Sequence, residues 1–98
     1  MRFIETPIFT QVDLLDDEAY WLLQSTLLIR PRLGPGGLRK VRWSAKGVGK
    51  RGGIRVIYFW YEPSETFYML FAYRKNQQEE LTKRQLRTLS RLVREEFG

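Results

Sequence analysis

The chain has 98 residues, no cysteine, no histidine and a formal net charge of +6. This length supports one hydrophobic core, and the missing residue types exclude disulfides, Cys/His zinc sites and a Ser/His/Asp triad. No apolar run approaches the roughly 18 residues of a membrane span, and the N-terminus lacks the apolar stretch of a signal peptide. We therefore expect a single domain over residues 1–98, located in the cytosol. If the chain is an enzyme, its proton chemistry must come from lysine, arginine, tyrosine or carboxylates.

The first third of the chain predicts one strand and two helices. Arg2–Glu5 is expected as a short strand, and a short helical segment is expected over residues 9–15. Asp16 is a good N-cap with acids directly after it, so a longer helix should begin there and end before Pro31. The apolar stripe that should place this helix on a sheet consists of Trp21, Leu22 and Leu28.

Three consecutive strands are expected in the middle of the chain. The first should cover residues 38–43, after a turn at residues 34–37. The second and third, Ile54–Tyr61 and residues 66–73, are rich in β-branched and aromatic residues and flank a turn, which indicates a hairpin. Residues 44–53 contain four glycines and three bases, a composition that predicts a mobile loop.

The C-terminal segment predicts a helix. Thr82 and Gln85 have the spacing of a capping box, and Leu86, Leu89 and Val93 recur at helical spacing. The order of elements predicts an α+β fold, with N-terminal helices and a C-terminal helix packed on a mainly antiparallel sheet of about four strands. We expect the helices to cover one side of the sheet and to leave the other open as a platform.

The positive charge is concentrated in one part of the chain. Residues 30–55 hold nine bases and no acid, a field that points to a polyanion partner rather than to a basic surface kept for solubility. Lys40 and Arg42 share one parity of their strand, so their side chains should emerge on one face about 7 Å apart. Arg55 lies at the start of the next strand, and Tyr73 lies at the end of the third strand. The bases and the phenol can therefore converge on one surface of the sheet.

Such groups suit the cleavage of RNA by its own 2′-hydroxyl. That reaction needs a base, positive charge around the phosphorus and an acid for the leaving oxygen. A lysine can act as base where neighbouring cations lower its pKa, and an arginine can brace a phosphate. No metal or other cofactor is expected. Basic and aromatic strands also occur in RNA-binding modules that cut nothing, so the pattern by itself leaves catalysis open.

Several blocks of the sequence resemble a known family. They are Gly36–Trp43, Lys46-Gly47, Gly49–Tyr58, and Tyr73–Asn76 followed by Glu79–Thr82. Across essentially its whole length the chain resembles the HigB branch of the RelE/ParE toxin superfamily. The resemblance implies a microbial-RNase-like fold, cleavage of messenger RNA in the ribosomal A site and contact with ribosomal RNA. It also implies a cognate antitoxin partner, in this branch commonly a helix-turn-helix protein of the HigA kind.

The resemblance also implies the residues of the site. The catalytic residues it implies are Lys40, Arg55, Tyr73 and Lys75. The RNA-binding residues are Arg39, Arg42, Lys46, Lys50, Arg51, Arg74 and Asn76. Which group acts as base and which as acid is left open. Glu79 and Glu80 are expected either as an ordinary lead-in to the helix or as a carboxylate base.

Two departures from the family pattern put activity in doubt, though not the fold. Relatives have a longer connection where Arg32–Pro35 stands, and Val48 replaces a base found in many of them. Two other functions also remain open at this point. One is a ParE-like inhibitor of DNA gyrase, and the other is a non-catalytic RNA-binding module or inactive toxin.

Overall fold

The computed structural model describes residues 2–29, 37–43 and 53–97. Its elements, in chain order, are β1 (Arg2–Glu5), α1 (Pro7–Val12), α2 (Asp17–Ile29), β2 (Arg39–Trp43), β3 (Ile54–Tyr61), β4 (Thr66–Arg74) and α3 (Lys83–Phe97). The expected mobile loop, apart from Gly53, and most of the turn before β2 lie outside the described residues.

The four strands form one sheet in the order β1-β4-β3-β2. β2, β3 and β4 are antiparallel neighbours, and β1 joins the edge of the sheet parallel to β4. The β3–β4 connection is a short turn in which Glu65 adopts a left-handed conformation with φ of 50°. The predicted α+β fold and its mainly antiparallel sheet are confirmed.

Hydrogen bonds show why the helices begin where they do. The Asp16 carboxylate accepts from the backbone N–H of Ala19 at 2.7 Å, which caps α2. At the start of α3, Thr82 Oγ1 accepts from the Gln85 N–H at 3.0 Å and Gln85 Oε1 accepts from the Thr82 N–H at 3.0 Å. Both predicted caps are confirmed, because capping depends on residues adjacent in sequence.

The first helix begins earlier than predicted. The sequence pattern placed it over residues 9–15, but α1 covers Pro7–Val12. Thr6 is its N-cap, accepting from the Phe9 N–H at 3.3 Å. Proline suits the first turn of a helix, where no intrahelical partner for its nitrogen is needed. Pro7 therefore opens the helix, and Asp13, in a left-handed conformation, ends it.

Helices pack on both faces of the sheet, so the expectation of an uncovered face was wrong. On one side, called here the α1/α2 face, Val56 and Tyr58 pack in a cluster with Leu23 of α2. On the other, called the α3 face, Ile57 packs in a cluster with Leu89. Every residue of β3 from 54 to 60 is buried. A strand covered on both sides reads as a continuous apolar run without alternation, and β3 has that sequence.

The predicted stripe of α2 was also wrong. Leu23 and Leu27 are the residues that pack on the sheet, with 0% and 1% of their surface exposed. Trp21 is 64% exposed, while Leu22 and Leu28 are each 43% exposed. Because α2 carries apolar residues on most of its circumference, periodicity could not identify the side that faces the sheet.

Candidate active site

One row across the sheet brings three of the predicted site residues together. Arg42 of β2 pairs with Arg55 of β3, and Arg55 pairs with Tyr73 of β4. Directly opposite residues on neighbouring strands project on the same face with their β-carbons about 5 Å apart. Tyr73 packs in the cluster of Leu89, so the row lies on the α3 face.

Lys40 lies in the next row on this face. It pairs with Ile57 of β3, two residues along from Arg55. Lys40 and Arg42 are both exposed, so the β2 side of the face is accessible to a ligand. The register therefore places three cations and a phenol on one side of the sheet.

Arg55 is a buried charge, with only 6% of its surface exposed. Its guanidinium lies against the backbone at Gly53, where an added Cβ would come within 3.3 Å of Arg55 Nη1. No carboxylate in the described ranges forms an ion pair with it. Buried charges in proteins are normally paired. A buried guanidinium without an acidic partner is therefore suited to an anionic ligand.

Tyr73 supplies a buried hydroxyl to the same row. The hydroxyl oxygen has no hydrogen-bond partner within the described part of the chain. Burial raises the pKa of the Tyr73 phenol above its ordinary value; the charge of Arg55 opposes this rise, and the charge of Glu80 adds to it. At neutral pH the phenol is therefore protonated and free to donate a hydrogen bond to a ligand.

The segment between β4 and α3 borders the row. The Lys75 N–H donates to the Gly53 carbonyl at 2.9 Å, which extends the β3–β4 ladder beyond Arg55. Gln78 Nε2 donates to Gln85 Oε1 at 2.8 Å and to the Glu80 carbonyl at 2.9 Å. These bonds tie the segment to the start of α3. They place Lys75 beside the row and bring the carboxylate of Glu80 close enough to influence Tyr73.

Not every predicted residue reaches this face. Arg39 pairs with Tyr58, whose side chain belongs to the α1/α2 face, and Arg74 pairs with Ile54 of that same face. Asn76 is exposed in the turn after β4. Lys46, Lys50 and Arg51 lie outside the described residues, as do Val48 and Arg32–Pro35, so expectations about them stay predictions.

Gly53 is a site residue that sequence reasoning treated only as part of the loop. An added Cβ at this position would stand 3.3 Å from Arg55 Nη1, a contact tight enough that the guanidinium would have to shift by a few tenths of an ångström. Glycine has no side chain, so another group can approach its backbone closely. The pair Gly52-Gly53 directly before β3 was the available signal.

Within the described ranges, no group of three or more acidic side chains is placed to hold a metal ion. No helix in the same ranges is long and apolar enough to cross a membrane.

Residues 25–97 of the chain match the family described as the RelE toxin of the RelE/RelB toxin–antitoxin system. The matched range is more than half of the 98-residue chain. It includes β2, β3, β4 and α3, and with them the whole Arg42–Arg55–Tyr73 row.

Proposed function

The chain belongs to the RelE toxin family, and we propose that it is a ribosome-dependent messenger-RNA endoribonuclease of the HigB branch. Family membership makes it the toxin of a toxin–antitoxin pair. The observation that carries the nuclease proposal is the Arg42–Arg55–Tyr73 row. In this row a buried guanidinium stands beside a buried phenol, and among the described residues neither the guanidinium has an acidic partner nor the hydroxyl a hydrogen-bond partner.

In the proposed reaction the 2′-oxygen of RNA attacks the adjacent phosphorus and displaces the 5′-oxygen of the next nucleotide. Arg55 and Arg42 stabilise the negative charge that develops on the phosphoryl oxygens. The effect is strong at Arg55 because the guanidinium is shielded from water. The products are a 2′,3′-cyclic phosphate and a free 5′-hydroxyl.

Two proton transfers complete the proposed reaction. Tyr73, which is protonated at neutral pH, donates a proton to the leaving 5′-oxygen. The 2′-hydroxyl proton passes to one of three groups that border the row, namely the Glu80 carboxylate, or Lys40 or Lys75 in its neutral amine form. A protonated lysine has no lone pair with which to accept it.

We further propose that the partner is a HigA-like helix-turn-helix antitoxin and that the ribosome presents the messenger RNA, which places the activity in the cytosol. An acidic antitoxin segment would complement the exposed bases Lys40 and Arg42. Charge reversal at these two positions should then weaken the toxin–antitoxin complex and make its affinity less sensitive to salt.

The nuclease proposal is tested by incubating the purified protein with ribosomes programmed with a defined messenger RNA and mapping new 5′ ends. The comparison is between the wild type, Arg55→Ala and the control Arg2→Ala, which removes an exposed base from the edge strand. We expect cuts inside translated codons, slowed about 10²- to 10³-fold by Arg55→Ala and unchanged by Arg2→Ala. Far-UV circular dichroism of each variant confirms that it is folded.

Each alternative function has its own outcome in this experiment. Intact messenger RNA on ribosomes with folded wild-type protein would overturn the nuclease proposal. Inhibition of gyrase supercoiling by the same preparation would then favour the ParE-like alternative. Salt-sensitive RNA binding without cuts would instead indicate a binding module or an inactive toxin.

A further inference from the structure

The outer side of α3 carries a stripe of bases that the proposed active site does not use. Successive residues of a helix are rotated by about 100°, so the five bases of α3 all fall within an arc of about 100°. They span about 16 Å of the helix axis, at 1.5 Å per residue. The members of this α3 stripe are Lys83, Arg84, Arg87, Arg91 and Arg94.

The like charges of the stripe destabilise the helix that carries them. Like charges three or four residues apart each destabilise a helix by about 0.2–0.5 kcal/mol. The like-charged pairs at this spacing are Lys83–Arg87, Arg84–Arg87, Arg87–Arg91 and Arg91–Arg94. One pair at this spacing, Arg91–Glu95, has opposite charges. Lys83 and Arg84 also occupy the first turn, which contains no acid and where the helix dipole disfavours cations.

A base-rich face that served only solubility would alternate its charges with acids. All five stripe residues are exposed, and none of them forms an ion pair with another described residue. The cost of gathering these charges without partners suggests that their partner is an external polyanion.

The position of the stripe follows from how α3 is attached. Leu89, Leu92 and Val93 pack toward the sheet in the cluster that contains Tyr73. The stripe lies on the opposite side of the helix and points away from the sheet. Since α3 packs on the same face as the Arg42–Arg55–Tyr73 row, the stripe and the row open on the same side of the molecule.

We propose that the α3 stripe binds the phosphate backbone of double-stranded RNA, separately from the strand that enters the active site. The inference rests on the proposed function in one respect, namely that RNA is the ligand on this side of the molecule. The stripe would hold a structured RNA by its backbone while the row acts on an unpaired strand.

Duplex RNA fits the stripe better than an acidic protein segment does. Five cations on one rigid helix are matched by a dense, equally rigid row of negative charge. Double-stranded DNA carries one charge per roughly 1.7 Å of its axis, and duplex RNA likewise carries a phosphate on each nucleotide of both strands. Four of the five bases are arginines, whose planar fork matches phosphate oxygens in two hydrogen bonds. A flexible acidic peptide would lose conformational freedom to match the same line.

The test measures binding of a fluorescent RNA hairpin with a stem of about 16 base pairs by anisotropy, between about 50 and 200 mM KCl. The variant is Arg87→Gln/Arg91→Gln. Arg87→Lys/Arg91→Lys preserves the charge, and Arg2→Gln is a control for loss of charge elsewhere. We expect the glutamine pair to reduce the slope of log affinity against log salt by about 1.5 to 2, at roughly 0.9 per lost phosphate contact. Arg2→Gln should leave the slope unchanged, and the lysine pair should retain most of it.

Thermal denaturation of each variant separates this result from misfolding. Removing like charges from α3 should raise its thermal stability slightly, so a folded variant with a reduced slope is the supporting outcome. An unchanged slope in the glutamine pair would overturn the proposal while leaving the Arg55 experiment intact. Equal competition by polyglutamate of the same charge would also overturn it, in favour of an acidic protein partner. A reduced slope in a protein that does not cut messenger RNA would support the stripe and reject only the nuclease.

Discussion

Arg55 and Tyr73 are both buried. Within the described part of the fold, the Arg55 guanidinium has no acidic partner and the Tyr73 hydroxyl has no hydrogen-bond partner. A buried polar group that makes no hydrogen bond costs about 1–3 kcal/mol. Sequences tolerate such a cost mainly at functional sites. The two residues lie opposite each other on β3 and β4, so one ligand can satisfy both.

Replacing Tyr73 by phenylalanine should separate activity from stability. The hydroxyl makes no hydrogen bond in the free protein, so Tyr73→Phe should leave the free energy of unfolding unchanged or raise it by up to about 1 kcal/mol. Cleavage on programmed ribosomes should fall about 10²- to 10⁴-fold because the proton donor is lost. Urea denaturation and 5′-end mapping measure the two effects.

Tyr68→Phe serves as the control for Tyr73→Phe. It also removes a phenolic hydroxyl from β4, but Tyr68 pairs with Phe59 outside the Arg42–Arg55–Tyr73 row. Cleavage should be unaffected by this change. A Tyr73→Phe protein that cuts at the wild-type rate would remove Tyr73 from the mechanism.

At the scale of the element, α3 has a capped N-terminus, an apolar side that covers the sheet and a hydrogen bond to the segment that precedes it. Its N-terminus is closed by the reciprocal bonds of Thr82 and Gln85, and its apolar side, with Leu89, covers the sheet. Gln85 also accepts from Gln78, so the start of the helix holds the segment that borders Tyr73. The capping box therefore stabilises the site as well as the helix.

Thr82→Ala should lower the free energy of unfolding by about 1 kcal/mol, because the N-cap hydroxyl that accepts from the Gln85 N–H is lost. Thr88→Ala is the matched control. Thr88 Oγ1 donates only to the Arg84 carbonyl of its own helix, and alanine has the higher helix propensity. Urea denaturation of both variants measures the difference. An equal loss of unfolding free energy in the two variants would mean that the capping box does not stabilise α3.

At the scale of the whole molecule, the described residues form one four-stranded sheet with an apolar cluster on each face. On the α1/α2 face, Phe67 stacks on Phe3 with ring centroids 4.8 Å apart and lies 4.6 Å from the Trp60 ring. On the α3 face, Leu70 and Ile57 pack with Leu89. Both clusters draw residues from β3 and β4, so neither can form without these two strands.

This shared sheet predicts cooperative unfolding of the whole chain. Leu23→Ala on one face and Leu89→Ala on the other should each cost about 2–5 kcal/mol. In both variants the urea transitions followed by tryptophan fluorescence and by far-UV circular dichroism should coincide. Leu86→Ala, on the same helix as Leu89 but at a residue 47% exposed, should cost much less. Separate transitions for the two faces would contradict the prediction of a single domain.

The sequence by itself determined the features that depend on neighbours along the chain. The β-branched and aromatic runs predicted β3 with its bounds, and the caps at Asp16 and Thr82 predicted where α2 and α3 begin. Strand parity placed Lys40 and Arg42 on one face. These signals are local, because a cap or a pleat is set by residues only a few positions apart.

Only the tertiary structure decided which residues meet across the sheet. The Arg42–Arg55–Tyr73 row depends on register between three strands, and the burial of Arg55, with 6% of its surface exposed, appears only once the chain is folded. The same holds for the two-sided cover of the sheet and for the choice of Leu23 over Trp21 as the residue of α2 that packs on it. Contacts between residues distant in the chain set these features, and neither composition nor periodicity of a single segment records such contacts.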